Sequence, residues 1–329
     1  MNARNLSTAT VLAALVATVA RAQVAEPAPA APPAPPLPSV PPGATDRTIN
    51  GHTFIPEILV RSPFAATAAS ADLLYGSGNA TGPAFDVNGV PMGFRTYTFA
   101  AMAQTFGYDK KVAEGISVGG GLITQLFSGI DGPSLVVVGA QIGGGLFGRA
   151  TAGTQLGPVQ AALTFDAIWG PRIGLLVIQA IQKALDQRVL DTASAFSMQN
   201  AWTLKPGFAA SWALWRPLGL TGSVDYQWIA INTSDEVPKH GAGVDLGLAA
   251  DLDFGTFTPV AMGVLAAIHT TSPLGSDSGV ERVNDYSLGL FYTGRPALVL
   301  GLEVGRRDLT IRELATKLVV AQLRLQYVW

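Results

Sequence analysis

The sequence predicts an all-β fold, an antiparallel up-and-down β-barrel of about twelve strands with one amphipathic helix in a long loop. Three observations predict it. Apolar and polar residues alternate with a period of two in most segments between residues 65 and 329, which places them on opposite faces of strands. Short turns alternate with longer loops along the chain, and the tryptophans lie close to the ends of the predicted strands.

The last predicted strand, residues 317–329, shows the alternation most clearly. One face is apolar and ends in two aromatic residues: Val319, Ala321, Leu323, Leu325, Tyr327 and Trp329. The other face carries Gln322, Arg324 and Gln326 between Val320 and Val328. One apolar and one polar face on the same strand are expected where a barrel wall separates lipid from a polar lumen, although a soluble sheet shows the same alternation.

Composition excludes several classes of protein. The chain is 48% hydrophobic and 13% charged, yet no run of eighteen strongly apolar residues follows the N-terminal region, so transmembrane helices are not expected. The absence of cysteine excludes disulfides, thiolate metal sites and a lipid-modified N-terminal cysteine. A net charge of −2 gives no indication of a nucleic-acid partner.

The N-terminal region predicts export. Residues 1–22 are interpreted as a cleaved secretory signal peptide, with Arg4 as the basic region and Ala20-Arg21-Ala22 as the cleavage motif. Residues 23–62 are interpreted as a Pro/Ala-rich periplasmic leader, because its proline-rich part is semi-rigid and has few backbone donors.

The end of that leader is ambiguous. Residues 45–62 contain Phe54, Ile55 and Val60, and a short helix that plugs or caps the barrel is one interpretation. The barrel domain itself is predicted to span residues 63–329.

Twelve strands are counted backward from the chain end. They are predicted at 317–329, 297–307, 283–293, 257–270, 241–254, 218–231, 203–215, 156–168, 134–150, 113–127, 92–106 and 65–76. The connections on the side of the C-terminus are short: 294–296, 255–256, 216–217, 151–155 and 107–112. Those on the opposite side are longer, except for 128–133: 308–316, 271–282, 232–240, 169–202, 128–133 and 77–91. An even strand number and this alternation are typical of bacterial membrane barrels.

The six tryptophans fall within about three residues of a predicted strand end, as the aromatic belts at two membrane interfaces require. Together with the closing strand, this pattern resembles the porin-like outer-membrane β-barrels of Gram-negative bacteria. The resemblance implies location in the outer membrane, contact with its lipid and lipopolysaccharide, and recognition of the C-terminal strand by the barrel insertion machinery. In that class the last residue is usually Phe, whereas this chain ends in Trp329. The alternative is a soluble β-sandwich or solenoid.

One helix is predicted within the long outer loop at 169–202. Residues 174–191 place Leu175, Ile178, Ile181, Leu185 and Val189 on one side at a spacing of three to four. This helix is expected to narrow the mouth of the barrel, to lie on the outer leaflet or to pack on neighbouring loops.

The inward face predicts the function. A twelve-strand lumen is wider than the filled eight-strand barrel and narrower than a sixteen-strand porin. The residues predicted to line it are Gln141, Gln160, Asp166, Lys205, Asp225, Gln227, Asp245, Asp251, Glu303, Gln322, Arg324 and Gln326. A polar lumen favours passive or weakly selective passage of small polar solutes. The alternatives are a non-conducting structural or adhesive barrel that binds partners through its outer loops and, less favoured, a lipid-modifying enzyme.

Two charged features of this face carry specific expectations. Glu303 and Arg324 lie on adjacent strands at similar distances from the strand ends, so a cross-strand ion pair is predicted. Asp225, Asp245 and Asp251, with Asp253, make two neighbouring strands acidic, which indicates either cation preference or scattered solvated charge.

No cofactor, metal site or catalytic residue is predicted. Residues 143–148 match G-x-G-x-x-G, but the glycine- and proline-containing residues that follow cannot form the helix that a dinucleotide site requires. His52, His240 and His269 are scattered along the chain, and no G-x-S-x-G motif is present.

Overall fold

A computed structural model describes residues 47–85, 91–131, 136–175, 196–233, 239–275, 282–311 and 314–329. The predicted signal peptide, leader residues 23–46 and residues 176–191 of the predicted loop helix lie outside these described residues. Within the described ranges, no helix is long and apolar enough to cross a membrane.

The described chain begins with a small hairpin, β1 (Thr48–Ile49) and β2 (His52–Thr53), followed by twelve long strands. These are β3 (Ala68–Phe85), β4 (Pro91–Ala113), β5 (Ile116–Asp131), β6 (Val136–Leu156), β7 (Val159–Leu175), β8 (Phe196–Trp215), β9 (Leu218–Thr233), β10 (Lys239–Asp253), β11 (Met262–Pro273), β12 (Arg282–Tyr292), β13 (Leu298–Ile311) and β14 (Leu314–Val328). A 3-10 turn, Phe254–Thr256, follows β10. The hairpin turns at Asn50 and Gly51, which both have positive φ, as a two-residue type I′ turn requires.

The twelve long strands form a closed antiparallel barrel, and each of them corresponds to one predicted from the sequence. Consecutive strands pair with each other, and β14 pairs with β3 to close the barrel, with Val328 opposite Ala68. The all-β fold and the strand number are therefore confirmed.

Most strands are longer than predicted and their connections are shorter. β11 is shorter than predicted, however, and the connections 254–261 and 293–297 are longer than predicted. At the end of the barrel that holds Val328, called here the turn end, the connections are 114–115, 157–158, 216–217, 254–261 and 293–297. The predicted turns at 107–112 and 151–155 are wrong, because β4 and β6 continue through them for 23 and 21 residues in total. At the opposite, loop end, β7 extends to Leu175, so the first two residues of the predicted helix are strand.

The outer face of the barrel is apolar. On β14 the alternate residues from Val319 to Trp329 include five large apolar side chains that are exposed, while Gln322, Arg324 and Gln326 are partly buried on the inner face. The faces predicted for this strand are confirmed.

Residues 47–67, called here the plug segment, fold into the lumen at the turn end. Arg47, Ile49, Phe54 and Val60 are buried there. The short helix considered for 45–62 is absent from its described part, residues 47–62, which form the small hairpin and then irregular chain. Pro56 and Pro63 lack the backbone donors that a helix needs at these positions.

Candidate functional site

The candidate site is the lumen, with the plug segment at its turn end. The hairpin of the segment is held by Arg47, whose Nη1 donates to the Phe54 carbonyl at 2.9 Å and whose Nη2 donates to the Pro296 carbonyl at 2.9 Å. Burial lowers the pKa of Arg47 to about 10, partly opposed by the nearby Asp251 carboxylate. Arg47 is therefore still charged at neutral pH.

His52 joins the plug segment to β10. Its Nε2 lies 2.8 Å from Asp251 Oδ2 and its Nδ1 lies 3.0 Å from the Arg216 carbonyl, while Ile55 N–H donates to the same Asp251 oxygen at 3.3 Å. Both ring nitrogens face acceptors, so both contacts are hydrogen bonds only when both nitrogens carry protons. A Cβ at Gly219 would lie 2.5 Å from His52 Nε2, which explains why β9 has glycine beside this pair.

The plug segment reaches up the lumen as far as Arg61. Arg61 N–H donates to Ser223 Oγ at 3.4 Å, and Arg61 Nη2 donates to Thr151 Oγ1 at 3.3 Å and lies 3.3 Å from Asp166 Oδ1. The segment then returns to the turn end, where Thr67 accepts from the Trp329 N–H at 3.0 Å. These polar contacts tie the segment to the barrel wall at its tip and at its end.

An apolar cluster fills one side of the lumen beside the plug segment. Ile55 and Val60 pack with wall residues of β10 to β13, namely Ala249, Leu265, Ala267, Phe291 and Val299. A Cβ at Gly263 would lie 2.6 Å from Ile55 Cδ1, so a small residue is needed there. This side of the lumen is a packed core.

The other side of the lumen holds a polar cavity of about 290 Å³. Its wall includes four aligned charges of β7 to β10: Asp166, Lys205, Asp225 and Asp245. Lys205 Nζ lies 2.6 Å from Asp245 Oδ2, and Asp225 accepts from Thr164 Oγ1 at 3.3 Å. Positive and negative side chains therefore lie next to each other in the wall of the cavity.

The predicted lumen residues take three kinds of position. Those that line the cavity are Asp166, Lys205, Asp225, Asp245, Arg324 and Gln326. Gln160, Asp251 and Glu303 are buried, and Gln227 and Gln322 are partly buried. Gln141 belongs to β6, and its side chain lies outside the described part of the structure. Whether these residues line a conducting path stays a prediction.

The predicted ion pair between Glu303 and Arg324 is wrong. Arg324 forms a two-pronged pair with Asp72, at 2.7 and 3.0 Å, across the seam where β14 meets β3. Glu303 lies opposite Gln322, and neither of its carboxylate oxygens has a hydrogen-bond partner among the described residues. Sequence reasoning missed Asp72, which shares a register position with Arg324 once the barrel is closed.

The four aspartates proposed as an acidic cluster are divided among different contacts. Asp225 and Asp245 are directly opposite each other on β9 and β10. Asp251 binds the plug segment, and Asp253 accepts from Gly255 N–H at 3.0 Å and from Thr293 Oγ1 at 2.8 Å in the turn that follows β10. Only the first two therefore face the cavity together.

The histidines occupy three separate environments. His269 Nδ1 lies 3.5 Å from Asp285, which also pairs with Arg307 at 2.6 Å, and His240 stacks on Trp228 at 5.8 Å. Within the described ranges, no three His, Cys, Asp or Glu residues are grouped to hold a metal ion. The glycine motif at 143–148 lies inside β6, which continues to Leu156.

Comparison with known proteins shows the fold. No family model matches the sequence, and no curated protein matches it. The structure is similar to the β domain of the Bordetella autotransporter BrkA, with a TM-score of 0.52, 12% identity, and coverage of 80% of this chain and 100% of that one. It is also similar to the transport unit of the autotransporter AIDA-I from Escherichia coli, with a TM-score of 0.51, 12% identity, and coverage of 87% and 97%. The resemblance to Gram-negative outer-membrane β-barrels is confirmed for the fold.

Proposed function

We propose that the protein is an outer-membrane β-barrel that allows passive or weakly selective passage of small polar solutes, and that its plug segment obstructs this passage in the conformation described. One observation carries the proposal. The lumen of the twelve-strand barrel is partly filled by residues 47–67 of the same chain, and charged residues of β7 to β10 line the cavity that remains. A barrel of this size has room for a path beside or in place of such a segment.

The outer face supports a membrane-spanning barrel. Trp202 and Trp212 are both exposed on the outer face of β8, and the outward residues between them are Leu204, Pro206, Phe208 and Ala210. Ten residues of strand measure about 33 Å, and a strand tilt of about 40° reduces this to roughly 25 Å of height. That height equals the apolar band of outer-membrane barrels.

Polar outward residues mark where that band ends at the loop end. They include Thr270, Asn284, Arg306, Asp308 and Lys317. Arg306 Nε lies 2.7 Å from Asp308 Oδ1, and both side chains are on the outer surface, where they would meet lipopolysaccharide head groups. The short connections favour a periplasmic location for the turn end, on the side from which an exported chain would arrive. The C-terminal strand, ending in Trp329, is the segment that we expect the insertion machinery to recognise.

Conductance tests the proposal. We expect the full-length protein to show few channel steps in a planar lipid bilayer, because the plug segment fills the turn end. Ile55→Asp with Val60→Asp places two carboxylates in the apolar cluster and should release the segment, so that steps become frequent. A matched control adds the same charges at exposed positions, as Gln155→Asp with Asn232→Asp.

A second candidate function is a non-conducting barrel that binds partners through its outer loops. The apolar cluster between the plug segment and β10 to β13 favours it, because such packing is typical of a permanent core. Silence of both the wild type and the Ile55/Val60 variant, with heat-modifiable gel mobility showing folded barrels, would establish this candidate instead. Lipid-modifying catalysis has the weakest support, since His269 lies on the inner face, away from lipid.

A further inference from the structure

One buried carboxyl group of the plug segment, that of Glu57, lies close to the Thr221 hydroxyl but makes no hydrogen bond of good geometry. Glu57 is 6% exposed, and neither of its carboxyl oxygens has a hydrogen-bond partner among the described residues. Its backbone carbonyl, in contrast, accepts from Arg324 Nη1 at 2.6 Å. The main chain at this position is therefore held in place while the side chain is left without compensation.

The groups around Glu57 come from several strands and already have other partners. Asp251 of β10 is bound to His52, and Arg324 of β14 is paired with Asp72 of β3. Glu303 of β13 adds another carboxyl group without a hydrogen-bond partner, and β9 contributes the neutral hydroxyl of Thr221.

Arg47 and Glu57 of the plug segment both line the polar cavity, but the Arg47 guanidinium donates to backbone carbonyls. Burial raises the pKa of Glu57 well above its ordinary value, and the negative charges of Asp251 and Glu303 raise it further, while Arg324 and Thr221 partly oppose this. A neutral carboxyl group suits this position better than a carboxylate.

We propose that Glu57 is a proton-operated latch: the plug segment occupies the lumen while the Glu57 carboxyl is neutral, and ionisation of that carboxyl favours release of the segment. This inference deepens the proposed function, because it names the signal that controls the obstruction. A carboxylate released into water recovers the hydration that the lumen denies it.

The direction of the pH effect follows from linkage. In the released segment the Glu57 carboxyl ionises near its ordinary pKa of 4.5, whereas in the seated segment it keeps its proton to a higher pH. Seating is therefore strongest at low pH and weakens as pH rises from 4.5 to the raised value. Between pH 5 and pH 6 the ratio of seated to released segment should fall, by up to about eightfold if the seated carboxyl keeps its proton throughout.

Substitution Glu57→Gln separates the Glu57 carboxyl from the other titratable groups near it, which are His52, Asp251 and Glu303. A pH response that persists in this variant comes from one of those groups.

The chain contains no cysteine, so one introduced thiol reports on seating without background. Val60→Cys places it at the tip of the plug segment, where the native side chain is 3% exposed. Its labelling by a charged methanethiosulfonate reagent is measured on the full-length, detergent-folded protein at pH 5 and pH 6. Glu114→Cys, at a turn position whose native side chain is 99% exposed, corrects for the reactivity of the thiol itself.

We expect the corrected labelling rate of Val60→Cys to rise several-fold, and by no more than about eightfold, from pH 5 to pH 6, because labelling follows the open population when reclosing is fast. Glu57→Gln in the same background should stay neutral and give a slow rate that does not change with pH. A flat rate in the otherwise wild-type protein, or an unchanged slope in the Glu57→Gln protein, would overturn the latch.

Conductance separates this inference from the proposed function. If labelling responds to pH through Glu57 while no condition gives channel steps, the role of Glu57 is supported and the proposal of solute passage is refuted. If the Ile55/Val60 variant conducts while labelling is insensitive to pH, solute passage is supported and the role of Glu57 as a latch is refuted.

Discussion

The plug segment makes different contacts with the two sides of the lumen. Along β10 to β13 the wall presents Leu265, Phe291 and Val299, which pack against Ile55 and Val60 as in a soluble core. Along β7 to β10 the wall presents charged residues around a cavity of about 290 Å³. The plug segment thus contributes apolar side chains to a packed core on one side of the lumen, and it lines a polar cavity on the other side.

This difference shows how a barrel of intermediate width can be stable. Removing apolar side chains from water stabilises the folded state by about 25 cal/mol per Å², and the plug segment supplies the partner surface that the wall of β10 to β13 lacks. On the cavity side Asp166 and Lys205 are each 25% exposed, and the buried Asp245 carboxylate is compensated by Lys205. Substitutions on the two sides should therefore have different costs.

The largest effect is expected on the packed side. Phe291 is 1% exposed and lies at the centre of the apolar cluster, so Phe291→Ala should lower the free energy of unfolding by about 3–5 kcal/mol. Urea unfolding in lipid vesicles, followed by tryptophan fluorescence, measures this. Phe208→Ala is the matched control, because Phe208 is 44% exposed on the lipid-facing side of β8 and its loss leaves no internal cavity. Equal losses for the two variants would mean that the lumen is not packed.

The barrel wall could be predicted from the sequence because its signals are local and repeated. Alternation places Leu323 outside and Gln322 inside without knowledge of any other strand, and turn residues such as Arg216-Pro217 mark the strand ends. The strand termini were less predictable. β4 continues through Gly107 and Tyr108 because pairing with β5, not residue preference, decides how far it extends.

The plug segment and the seam could not be predicted in the same way. Residues 47–67 have no regular period, and their burial depends on a lumen that only the complete barrel creates. The sequence predicts Glu303 of the preceding strand as the partner of Arg324, whereas closure of the barrel brings Asp72 opposite Arg324 from 252 residues away. The signal available was the inward parity of Asp72, which is informative only after closure is assumed.

A smaller difference in the free energy of unfolding is expected between substitutions in two ion pairs. The side chains of His52 and Asp251 are fully buried, so His52→Leu should cost about 3 kcal/mol by leaving the Asp251 carboxylate with the Ile55 N–H as its remaining donor. Lys205 is 25% exposed and Asp245 is 3% exposed, so only the cation of this pair meets the cavity. Lys205→Leu should therefore cost about 1–2 kcal/mol, less than the loss of a partner from a fully buried pair. Urea unfolding of both variants gives the comparison. A larger loss for Lys205→Leu would contradict the division of the lumen into a packed and a hydrated side.

The smallest effect concerns ion preference on the cavity side. Asp225 and Asp245 lie opposite each other, so Asp225→Asn with Asp245→Asn removes two adjacent negative charges and leaves Lys205 unpaired. In the background of Ile55→Asp with Val60→Asp, the ratio of cation to anion permeability should fall by about twofold. The reversal potential in a salt gradient measures this ratio. Asp253→Asn is the control, because that carboxylate is held at the turn by Gly255 and Thr293 and should leave the reversal potential unchanged. If the double variant also leaves it unchanged, the charges of the cavity wall do not face the path that ions take, and the polar side of the lumen is a chamber without passage.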